Sequence, residues 1–142
     1  MSNSPVIVQW KAAAPYLLSL LRIFTGLILA VSGTIILFGF PAAPPGPGGP
    51  MPPQMVVGGW LEFIGGLLLM VGFLTRPVAF LLSGMMAVAF FQFHFKGEWP
   101  AGIVPNLNNG IPAAVLCFVY LFYSSAGAGR WGIDSARDKG ES

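Results

Sequence analysis

Gly58 to Pro77, GGWLEFIGGLLLMVGFLTRP, is an apolar run with one acid inside it and an arginine–proline pair behind it. A helix from Gly58 to Thr75 covers roughly 27 Å at ~1.5 Å per residue, close to the thickness of a bilayer core. Placing a carboxylate at mid-helix in hydrocarbon costs about 2.5–3.5 kcal/mol on insertion scales. The run therefore reads as a membrane helix, and Glu62 needs a structural or chemical reason to be in it.

Composition extends that reading to the whole chain. Only 8% of its 142 residues are charged and 55% are hydrophobic, against roughly a quarter charged in soluble domains. That leaves room for four spans with short connections and for no separate soluble domain, so residues 1–142 form a single membrane domain. The formal charge of +2 fits basic residues gathered on a cytoplasmic face, and no basic run is dense enough for nucleic acid. A lone cysteine, Cys117, excludes an internal disulfide and a CxxC pair. A lone histidine, His94, argues against a protein-only metal site.

The spans fall at about 16–40, 58–75, 78–95 and 111–126. Between the first two, residues 41–53 hold seven prolines and three glycines, a composition that excludes helix and sheet and suits an extended loop. Arg76-Pro77 makes a tight link into the third span, because proline fits the first turn of a new helix. Residues 129–142 read as a soluble tail. With four spans, Lys11, Arg76, Arg130, Arg137 and Lys139 share one face against Lys96 on the other. The positive-inside rule then puts both termini in the cytoplasm and makes Arg76 a topology anchor.

Helical spacing groups the polar and small residues. Arg22, Gly26 and Gly33 share a stripe of the first helix, Glu62, Gly65 and Gly66 one of the second, and Ser83, Ala87 and His94 one of the third. Small residues let membrane helices approach closely, so Gly26, Gly33, Gly65, Gly66, Ser83 and Ala87 read as packing positions of an all-α, polytopic four-helix bundle. Its charges face inward. Arg22, Glu62, Gln92, His94, Asn106 and Asn109 form the expected polar intramembrane cluster, with the last five nearer the outer side.

LLRIFTGLILAVSG, LFGFP, GWLEFIGGLLLMVGFLTRP, the FHF that ends the third helix, and GAGRWGID together resemble the DoxX family over about residues 18–135. The pattern E-x-x-G-G-x-L-L-x-x-G-x-x-T-R in the second span is the most specific part. The resemblance implies a small four-helix protein of the inner (cytoplasmic) membrane. It also implies partners, namely other subunits of a membrane redox complex, with a quinone or a pigment held through such a partner. Arg22, Glu62, Arg76, His94 and Asp134 match the family pattern. Where the family often carries His-Gly and a nearby lysine, this chain reads Ser32-Gly33 and Ile35-Ile36. Where Asn-Gly-Gly-Glu commonly opens the fourth helix, it reads Asn108-Asn109-Gly110-Ile111. Those losses weigh against an activity of its own.

The expected function is an accessory subunit of a redox or electron-transfer complex, adjacent to a quinone. The alternative is a non-catalytic structural subunit of a larger energy-transducing complex, touching lipids or pigments. A solute transporter is the weaker third reading, since the chain lacks an inverted repeat and broken helices.

Overall fold

The computed structural model describes residues 5–44, 46 and 48–140, so what the sequence suggests for residues 1–4, 45, 47, 141 and 142 lies outside the described residues. The described chain is helical, with no strand among its elements. Helix α1 runs Pro5–Phe38, α2 Pro53–Val71, α3 Thr75–Ala89, α4 Ile111–Ala126 and α5 Ile133–Gly140, and α3 continues into a π-helical turn at Phe90–His94. The segments Ile7–Phe38, Pro53–Val71 and Thr75–His94 are each long and apolar enough to cross a membrane. The fourth apolar helix, α4, has 16 residues, about 24 Å of rise.

Both ends of helix α2 differ from the sequence expectation, and each has a local cause. Helix α2 begins at Pro53 and not near residue 58, because a proline at the first helical position sacrifices no hydrogen bond. It ends at Val71, because Gly72 turns left-handed (φ 68°). The Gly72 and Phe73 amides there return to the Leu68 carbonyl at 3.0 and 3.1 Å, a glycine-terminated helix end. Glu62 accordingly stands at the middle of α2, about 13 Å from its start.

Helix α1 packs along α2 and α3 along α4. The first pair meets backbone to backbone. A Cβ on Gly66 would lie 2.5 Å from the Ala30 amide nitrogen and 2.6 Å from the Gly26 carbonyl oxygen, and one on Gly33 2.5 Å from the Phe63 nitrogen. The neighbouring Gly65 serves a different interface, facing the Leu82 side chain of α3. In the second pair, Ser83 Oγ donates to the Cys117 carbonyl at 2.8 Å, while Ala87 is half-buried. Tyr120 and Tyr123 reach from α4 to α1. Tyr120 donates to the Thr25 carbonyl at 3.0 Å, and the Tyr123 hydroxyl lies 3.2 Å from the Thr25 hydroxyl. With Leu29, Leu69, Ala79, Leu82 and Met86 they make the core.

The outside of this assembly is apolar and part of its inside is not. Phe24, Phe80 and Phe118 are 62%, 67% and 70% exposed, whereas Arg22 is 0% exposed. In water that arrangement would be costly on both counts; in a bilayer the exposed rings meet lipid.

Candidate functional site

Polar side chains collect at the two ends of the helical assembly, in two different ways. At one end stand the start of α2, the π turn and the loop before α4. There α2 and α3, which touch at Gly65 and Leu82, are separated by a cleft of about 1310 Å³. Its walls are apolar, among them Leu61 of α2, Leu81, Met85 and Val88 of α3, and Ile36 of α1. Glu62, Gln92 and His94 line it as well. Gly58 and Gly84 face open space, with nothing within 4 Å of where a Cβ would stand.

The Glu62 Oε2 atom is buried with no hydrogen-bond partner among the described residues, and Ser32 of α1 is the hydroxyl beside the carboxyl. An orphaned buried acceptor costs about 1–3 kcal/mol, which a donor that reached this atom would recover. His94 is held by its other side. Its Nδ1 donates to the Asn108 carbonyl at 3.1 Å, which fixes the ring through that nitrogen. The π turn ends where Phe95 N–H returns to the Phe90 carbonyl at 2.9 Å. Such turns shift side-chain register by one residue, here just where Gln92 and His94 sit.

Of the other polar residues expected in this cluster, Asn106 and Asn109 are exposed on the loop and do not line the cleft. Asn109 adopts a left-handed backbone (φ 59°), a conformation asparagine tolerates better than most. The working member of that loop is Asn108. Besides holding His94 through its carbonyl, it accepts the Gly110 amide on Oδ1 at 2.9 Å, a local turn just before α4.

Arg22 lies at the opposite end, away from Glu62, and it pairs with backbone. Its guanidinium donates to the Leu69 and Met70 carbonyls at the end of α2, and to the Ala128 and Trp131 carbonyls after α4. The Ala128 bond measures 2.9 Å and the Met70 bond 2.8 Å. A cation over the last carbonyls of a helix satisfies orphan acceptors and opposes the helix dipole.

Two more charges do the same for other helices. Arg76 donates to the Ser124 and Ser125 carbonyls at the end of α4. Asp134 receives the Leu74 and Thr75 amides that open α3, at 2.9 and 2.8 Å. Partial burial opposes ionisation of Asp134, but those two amides and the nearby Arg137 outweigh it and hold the carboxyl below the ordinary aspartate range. Arg22, Arg76 and Asp134 are therefore all helix caps.

The segment after α4 is thus a clasp and not a free tail. Arg130 N–H donates to the Pro15 carbonyl at 3.0 Å, Trp131 N–H to Ser19 Oγ at 2.9 Å, and Asp134 N–H to the Gly72 carbonyl at 2.9 Å. Sequence reasoning gave no role to Ser19, Ser32 or the two buried tyrosines. The available signal was periodic. Ser19 stands three residues before Arg22, and Tyr120 and Tyr123 are three apart, so each set shares a helix face.

Residues 17–95 match the family model described as DoxX. An uncharacterized protein of Haemophilus influenzae is 34% identical over 122 residues, covering 85% of this chain and 90% of the relative. No solved structure matches the chain.

Proposed function

This chain belongs to the DoxX family of multi-pass membrane proteins, and from that premise we propose that it is an accessory subunit of an inner-membrane redox complex, placed next to a quinone. On this reading the four apolar helices form a bundle with both termini in the cytoplasm, where Lys11, Arg76, Arg130, Arg137 and Lys139 gather. The observation that carries the proposal is the α2–α3 cleft, an apolar space of about 1310 Å³ lined by Glu62, whose Oε2 is buried without a hydrogen-bond partner among the described residues.

The lining suits a lipophilic carrier with a polar ring. Glu62 and Gln92 offer hydrogen-bonding groups, and Leu61, Met85 and Val88 offer an apolar surface for an isoprenoid tail. A bound quinone would supply two-electron, two-proton chemistry; what the chain supplies is position and a place for a proton at the Glu62 carboxyl. The lined volume exceeds the roughly 300–1,000 Å³ of ordinary small-molecule sites, as a long-tailed guest requires.

A second reading, that of a structural subunit touching lipids or pigments, has its own support. Two of the positions at which this chain departs from the family pattern stand at the cleft: Ser32 is beside Glu62 and Ile36 lines the wall. The cleft has kept its carboxyl and lost polar neighbours.

Purification of the native protein in mild detergent, with spectra for flavin and haem and extraction for quinone, tests the proposal. A redox partner should co-purify, and Glu62→Gln should slow electron transfer at unchanged yield of the complex. Unaltered electron transfer in Glu62→Gln, with loss of assembly or yield, decides for the structural reading.

A further inference from the structure

Four of the chain's seven basic residues line one groove at the α5 end of the fold: Arg76, Arg130, Arg137 and Lys139. The acids facing it are Asp134 and Asp138, so the formal balance is four minus two, or +2. One of those acids is already committed, because both Asp134 oxygens receive the amides that open α3. Arg76 is partly committed to the end of α4, while Arg130 and Arg137 extend from an exposed surface. The groove holds about 590 Å³, and Leu18 and Leu74 contribute apolar surface to it.

Its depth in the membrane is marked independently. Tyr16 and Trp131 pack edge to face with ring centroids 5.4 Å apart and remain 39% and 50% exposed. Half-exposed tyrosine and tryptophan are the side chains that settle at the headgroup level of a bilayer. Trp131 adjoins Arg130 in sequence, so the arginine side chain leaves the fold at that level. Guanidinium groups bind phosphate oxygens in a two-pronged geometry that ammonium groups do not match.

We propose that this groove holds the anionic headgroup of a phospholipid, its phosphodiester between Arg130 and Arg137 and its acyl chains running down past Leu18 and Leu74. The site needs only the membrane setting and does not depend on the redox reading of the α2–α3 cleft.

Native mass spectrometry of the full-length protein, released from mixed phosphatidylglycerol and phosphatidylcholine of identical acyl chains, tests it. The wild type should retain phosphatidylglycerol preferentially. The Arg130→Gln/Arg137→Gln variant should lose that preference by about fivefold per charge removed, and Arg130→Lys/Arg137→Lys should keep part of it. Circular dichroism checks that each variant is folded. Equal retention of the two lipids by the wild type overturns the proposal, as does undiminished preference in the glutamine variant. Displacement of the lipid by millimolar inorganic phosphate would assign the groove to a free anion and overturn it equally.

Discussion

The Asp134 carboxylate caps a helix that begins 59 residues before it, with Oδ2 accepting the Thr75 amide at 2.8 Å. The Leu74 amide fills Oδ1 at 2.9 Å, so one side chain satisfies two of the orphan donors of α3. Losing such a cap costs about 1 kcal/mol. Asp134→Ala should lower stability by that amount in a detergent unfolding titration, and Asp134→Asn by less. Because the folded state holds this carboxyl below its ordinary range, its contribution is fully present above the unfolded value of about 4. It fades as pH falls through the lower folded value. The gap between wild type and Asp134→Asn should therefore be constant at neutral pH and close only in acid.

Arg22 predicts a larger effect. Its guanidinium serves carbonyls on α2 and on the segment after α4, and Arg22→Met would take the donor from the Met70 and Trp131 carbonyls and leave those of Leu69 and Ala128 to the Gly72 amide and the Ser19 hydroxyl. At about 1–3 kcal/mol per unsatisfied group, relaxation included, a loss of 3 kcal/mol or more is expected. Arg22→Lys should recover only part of it, since a single ammonium cannot span both segments. The same unfolding titration measures both.

Two glycines should respond oppositely to the same substitution. Gly66→Ala sets a methyl 2.5 Å from the Ala30 backbone and should force α1 from α2 at a cost of about 1–3 kcal/mol. Gly84→Ala places its methyl in open space and should be neutral or stabilising by about 0.5–1 kcal/mol, the usual gain from removing a helix glycine. Equal destabilisation by both would contradict the packing described for α1 and α2.

Gly84 also offers a way to close the cleft without touching its polar groups. Gly84→Leu should leave unfolding and assembly intact while reducing the quinone recovered per mole of protein. Unchanged recovery would place any co-purified quinone elsewhere in the complex.

Much of this architecture is legible in the sequence, for a definite reason. Apolar runs of bilayer length announce helices whatever their partners, and Arg76-Pro77 announces the turn between two of them. The roles of the charges are not legible in the same way. Helical spacing puts Arg22 in one polar intramembrane cluster with Glu62 and says nothing of what the guanidinium binds. Once Gly72 ends the helix at Val71, the nearest need for a cation is the row of open carbonyls at Leu69 and Met70. Glycine followed by Phe-Leu-Thr was the available hint. Asp134 carried none, because its acceptor role is defined by amides sixty positions away. The α2–α3 cleft was half legible: Glu62, Gln92 and His94 were singled out on chemistry, but only the assembled helices bring them to one space and leave Asn106 and Asn109 outside it.

The clasp after α4 also imposes an order in time. Residues 128–134 leave the ribosome after all four apolar helices, yet they carry two of the carbonyls that Arg22 binds and the carboxylate that opens α3. During synthesis α1 waits with its guanidinium half-satisfied, and α3 waits without its cap. Helix insertion can proceed pair by pair, but the assembly is locked only when this short stretch docks. A stop codon placed just after Ala126 would thus yield all four apolar helices without the contacts that lock them.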